Sequence, residues 1–167
     1  MNQKYPNIFA PLKVNTMTLK NRIVSTPLGF NDISELEGPS SVIKGSVGVD
    51  SPNSMWADIP YAFSKHAVDE THDWVIKAHA KGMKAGIELI HCGSQSRAHD
   101  CPYVFGPSEM VNDEGCQTKP MDESDMKTVC DAYAKAAYDA KSLGFDFIFL
   151  HFGHGWLPAE FLSPLYN

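Results

Sequence analysis

Four short runs rich in β-branched and aromatic residues limit what this chain can fold into. They are residues 22–26 (Arg-Ile-Val-Ser-Thr), 41–47 (Ser-Val-Ile-Lys-Gly-Ser-Val), 84–90 (Lys-Ala-Gly-Ile-Glu-Leu-Ile) and 145–150 (Phe-Asp-Phe-Ile-Phe-Leu). The later ones are nearly continuous in apolar character rather than alternating, as expected of strands covered on both faces. Between them the period changes. Residues 65–81 place Val68, His72, Val75, Ile76 and His79 at helical spacing, and Gly82 ends the run. Residues 122–143 make a stronger helix, with Asp122 as N-cap, Asp125 in the first turn and Gly144 as the stop. Met126, Val129, Cys130, Tyr133, Ala137 and Ala140 are expected to line its inner face. Strand–helix–strand alternation implies parallel strands joined by right-handed crossovers, so the fold class is α/β.

Two stretches stand outside this rhythm. Residues 8–19 read as a short hairpin turning at Asn15-Thr16. The connection between Pro27 and Val42 is too short for an ordinary crossover helix.

Composition narrows the function classes. Lys and Arg total 14 against 20 for Asp and Glu, a formal net charge of −6. Nucleic-acid and anionic-membrane partners select clustered basic residues, so neither is expected. No apolar run reaches the roughly 20 residues of a spanning helix, and the first residues are polar, which predicts a cytoplasmic protein. Cys92, Cys101, Cys116 and Cys130 form no C-x-x-C pair, so they read as free thiols rather than zinc or iron–sulfur ligands.

In parallel α/β architectures ligand chemistry collects at the C-terminal ends of strands. Here those ends are Thr26-Pro27-Leu28-Gly29, Gly45-Ser46-Val47, Glu88-Leu89-Ile90-His91-Cys92-Gly93 and His151-Phe152-Gly153-His154-Gly155-Trp156. Glycines and polar groups gather at them, and two carry histidine. A ligand site is expected there.

Several of these stretches resemble the old yellow enzyme family of flavin oxidoreductases. Leu19-Lys20-Asn21-Arg22-Ile23-Val24 looks like its opening L-K-N-R-[IV]-V, and Glu88-Leu89-Ile90-His91-Cys92-Gly93 like its Q-L-x-H-x-G. Gly106-Pro107-Ser108 falls at a P-S element. The stretch from Gly144 through His151, His154 and Trp156 to Phe161-Leu162-Ser163-Pro164 is similar to the H-x-x-H-G-Y-L-x-x-x-F-L-S-P region. The resemblance runs in order across nearly the whole chain.

It implies a (β/α)8 TIM barrel, of which residues 1–167 supply the N-terminal hairpin and about the first four β/α units, without the C-terminal half. It also implies FMN as cofactor, NADH or NADPH as hydride donor, and an unsaturated carbonyl compound as acceptor. Thr26, Pro27, Leu28, Gly29, Gly45, Ser46 and Glu88 correspond to flavin-binding positions. His151 and His154 correspond to the pair that receives the acceptor's carbonyl oxygen, and Trp156 lines the substrate pocket. An iron–sulfur cluster and FAD would require a C-terminal extension. A homo-oligomer and pairing with a missing C-terminal half are both open.

Three positions depart from the family pattern. Trp156 replaces the tyrosine that protonates the α-carbon, and an indole N–H is not a usable acid. Glu88 replaces a glutamine. Gly29 replaces a cysteine or threonine. Two other readings compete: a metal-dependent hydrolase or lyase built on Glu88, His91, His151 and His154, and a catalytically incompetent half-barrel or interaction module. His66, His72 and His79 read as helix-surface or core-edge residues, His99 and Cys101 as incidental residues of a polar loop, and Trp74, Tyr133 and Tyr138 as packing aromatics.

Overall fold

The computed structural model describes residues 4–27, 32–49, 54, 61, 63–65, 67–97 and 102–167. Leu28 and Gly29, two expected flavin contacts, lie outside the described residues, as do His66, His99 and Cys101.

A single turn of helix, α1 (Pro6–Phe9), precedes the antiparallel hairpin β1 (Leu12–Val14) and β2 (Met17–Leu19), in which Leu12 faces Leu19. Asn15 turns the hairpin at φ 52, a conformation its short polar side chain tolerates. Next come β3 (Val24–Ser25), β4 (Ser41–Gly48), helix α2 (Val68–Ala80), β5 (Lys84–Ile90), helix α3 (Glu123–Ser142) and β8 (Phe147–Leu150). These four strands form one sheet in the order β3-β4-β5-β8. Each neighbour follows in chain order, as repeated β/α units require. Strands β3 and β4 pair in parallel, Val24 with Ser41, and among the described residues of their connection there is no helix.

Two compact units divide the chain. The first comprises Met1–Gly45, Phe63–Glu88 and Asp139–Phe149. There the Lys84 and Asp146 amides donate to the Ser40 and Ala85 carbonyls. The buried face of α2 is Thr71, Trp74, Val75 and Ala78. His72 and His79 are exposed, as read from the sequence, while Ile76, at the same helical spacing as the buried Val75, is exposed too. Trp74 stacks on Phe145, ring centroids 6.0 Å apart, and the Lys44 ammonium lies over the Trp74 ring, 5.6 Å from its centroid. Burial pushes the Lys44 ammonium below its ordinary pKa, with Glu70 opposing. Asp146 accepts from His79, Lys84 and the Ala85 amide. Burial works against its charge, but these partners hold the carboxyl below the usual range.

The second unit comprises Ser46–Ala62, Leu89–Tyr138 and Leu150–Asn167. It adds a 3-10 turn (Gly93–Gln95), a parallel pair β6 (Val104–Gly106) and β7 (Thr118–Pro120), and helix α4 (Leu157–Leu162). The Asp125 amide donates to the Asp122 carboxylate while Asp122's amide donates back to Asp125, a reciprocal cap on α3. The buried residues of α3 are Val129, Ala132, Ala136 and Ala140. Small alanines let the helix sit close to its neighbours, so the seam runs along them instead of through Met126 and Cys130, which are exposed. Met126, Cys130 and Tyr133 instead line an apolar cavity of about 380 Å³ with Leu150, Leu157 and Phe161.

Candidate functional site

In the first unit, Thr26 is exposed and Pro27 half-buried just past the end of β3. Gly45 lies beside the buried Glu88. A Cβ on Gly45 would come within 2.8 Å of the Glu88 Cβ and 3.4 Å of its Oε2. Glycine is therefore required where the Glu88 side chain crosses the neighbouring strand. That leaves a carboxylate, an acceptor when ionised, beside a bare stretch of backbone. This suits a flat ring with an imide N–H.

In the second unit, the His151 amide donates to the Leu89 carbonyl, so His151 continues the ladder just beyond β8. The chain then turns sharply. His154 has φ 57 and Gly155 φ 70, two consecutive residues in the left-handed region. For histidine that conformation costs about 1–2 kcal/mol. The turn folds the His154 ring back onto His151, with His154 Nδ1 2.9 Å from His151 Nε2 and ring centroids 4.9 Å apart. One of the facing nitrogens donates the proton and the other accepts it. Gly153 permits the bend, since a Cβ there would press on the His151 ring at 3.3 Å. Trp156 is buried with Ile90 and Cys92 and meets His151 edge-on at 5.5 Å. Ser46, within β4 two residues before its end, is half-buried.

Three residues that the motifs did not single out hold this turn. Gln95 Nε2 donates to the His154 carbonyl at 2.8 Å and the Gly155 carbonyl at 2.7 Å. Glu160 is fully buried, and its Oε1 accepts from the Ser94 amide at 2.9 Å and the Ser94 hydroxyl at 2.6 Å. Its Oε2 has no hydrogen-bond partner among the described residues. Burial pushes this carboxyl up to about 7, with the Ser94 bonds opposing. A sequence signal existed. Glu160 is the only charge in the apolar segment Leu157-Pro158-Ala159-Glu160-Phe161-Leu162.

The metal reading is corrected. Among the described residues no three His, Cys, Asp or Glu side chains form a group able to hold a metal ion. His91 is fully buried against Phe105, and its Nδ1 accepts from the Gly93 amide. His151 and His154 spend their facing nitrogens on each other. Among the described residues Cys92, Cys116 and Cys130 form no disulfide.

The fold is that of half of a parallel barrel. Comparison with known proteins names the class. Residues 7–167 match the model of the NADH:flavin oxidoreductase / NADH oxidase family, and the chain belongs to that family. An NADPH dehydrogenase from Listeria welshimeri is 30% identical over 186 residues, covering 96% of this chain and 52% of the relative. An old yellow enzyme from Pichia sp. AKU4542 superposes with TM-score 0.80 at 21% identity, over 96% of this chain and 50% of its own. Histamine dehydrogenase from Rhizobium sp. 4-9 superposes with TM-score 0.85 at 20% identity, over 99% of this chain and 28% of its own. The fold is that of the old yellow enzyme TIM barrels, and the chain spans about half the length of the curated relatives it matches.

Proposed function

We propose that the protein is the part of an FMN-dependent oxidoreductase that grips the flavin ring and the acceptor, reducing an activated alkene such as an enone or enoate. The observation that carries this reading is the paired His151 and His154 rings just past β8. When bound, FMN would supply the hydride-transfer chemistry that links NAD(P)H to the acceptor. The name of the Listeria relative favours NADPH as donor.

The chain's own residues would act around that transfer. Thr26, Pro27, Gly45 and Ser46 would offer backbone along the ring, and Glu88 would accept from its imide N–H. Hydride arrival at the acceptor's β-carbon drives negative charge onto its carbonyl oxygen. N–H groups of His151 and His154 would stabilise that oxygen, each donor being worth roughly 10²–10³ in rate. Both facing nitrogens cannot carry protons while they bond to each other. An entering oxygen that accepts from both would part the rings and settle each in the donating tautomer. Trp156 braces His151 and offers no acidic proton, so the α-carbon would take its proton from solvent.

Among the described residues no helix is long and apolar enough to cross a membrane. We place the enzyme in the cytoplasm, with a complementary half of the barrel as partner. Steady-state NADPH oxidation tests the function. With added FMN and the C-terminal half of the barrel, and in the absence of oxygen, oxidation should depend on 2-cyclohexenone. An enone-independent rate, or none, contradicts the proposal.

A further inference from the structure

The His151–His154 pair depends on a turn whose backbone carbonyls are held from another part of the second unit. Gln95 lies 59 and 60 residues before the two carbonyls it binds, and both bonds come from the one amide nitrogen. The approach is close: a Cβ on Gly155 would lie 2.7 Å from Gln95 Nε2 and would push that amide from its place. Gln95 is itself fixed. Its amide donates to the Cys92 carbonyl, and the preceding Ser94 is clamped by buried Glu160 through both its amide and its hydroxyl. Gly93 completes the clamp at φ 59, where a Cβ would fall 2.5 Å from Glu160 Oε2.

From this connected set of bonds we infer that Gln95 is a positioning residue, which, anchored through Ser94 by Glu160, holds His154 in its left-handed turn and so aims its ring at His151. An amide is suited to this because one NH2 group can serve two successive carbonyls. A carboxylate of the same shape would set an acceptor against two acceptors, whereas a lysine ammonium would keep donors within reach. The role deepens the reading of the two histidines as an oxygen-binding pair, but concerns their geometry and needs no flavin.

The test is long-range ¹H–¹⁵N NMR of the histidine rings in the full chain, comparing the protein with Gln95→Glu and Gln95→Lys. In the unsubstituted chain, Nδ1 of His154 and Nε2 of His151 should show one protonated and one hydrogen-bond-accepting nitrogen. Q95E should move both rings to the shifts of solvent-averaged imidazole, while the backbone amides of Ile90, Cys92 and Leu157 stay in place. Q95K should retain the paired signature. Unchanged ring shifts in Q95E overturn the inference, and so does Q95K losing the pairing while those amides hold. Global loss of amide dispersion in Q95E transfers the decision to Q95K, whose retained or lost pairing supports or overturns it. Because the readout is taken without FMN, failure of the flavin proposal would appear separately, as absent NADPH oxidation with the ring signature intact.

Discussion

A carboxyl buried in the folded protein and exposed when unfolded makes stability depend on pH, and Glu160 is such a group. Its pKa rises from 4.5 to about 7 on folding, because burial disfavours the charge more than the Ser94 bonds favour it. The folded state then binds more protons than the unfolded state between those values. Its contribution is full below about 4.5 and is lost as pH rises through about 7. The shift corresponds to roughly 3 kcal/mol of differential stability. Glu160→Gln keeps an acceptor for Ser94 and removes the charge. Urea unfolding at pH 5 and pH 8 should show the substituted chain losing less stability than the original over that interval, by up to about that amount. An equal loss in both would mean that Glu160 is not held as an acid. Histidine identity is also decided at this scale: His151 and His154 were legible from their motif. Gln95 was not, because its role is exerted on backbone carbonyls some sixty residues away, which leave no mark in local sequence.

Among the elements, β4, β5 and α3 were readable to within a residue or two. Continuous apolar runs and a capped 3.6-residue period are strong local signals. The β6 and β7 pair was not readable: each strand is three residues long, and after Thr118 the residues Lys119-Pro120 are ones that strands disfavour. The helix faces were read approximately, because alanine is a weak marker of burial yet forms the α3 seam. Strand packing also depends on positions that look permissive in sequence. Gly86 in β5 sits under the Phe147 ring of β8, where a Cβ would come within 2.3 Å of ring carbons. Gly86→Ala should therefore displace Phe147 and cost about 1–3 kcal/mol, measured by chemical denaturation. A cost within a few tenths would show that the ring relocates freely.

Four parallel strands in chain order make half of a barrel that takes about 250 residues, and such barrels commonly hold a ligand phosphate with the loops after strands 7–8. In the second unit the apolar cavity beside α3 and α4 is accompanied by exposed Phe152, Leu162 and Leu165. A complementary half-barrel is the partner we propose for this surface, and it would supply the phosphate contacts. The central claim is that His151 and His154 receive the oxygen on which charge develops. It is tested most directly by the rate at which an enone reoxidises NADPH-reduced FMN, the chain being completed by the C-terminal half of the barrel. His151→Ala/His154→Ala should slow that reoxidation by at least about 100-fold while reduction by NADPH proceeds as before. Reoxidation at the original rate would contradict the account.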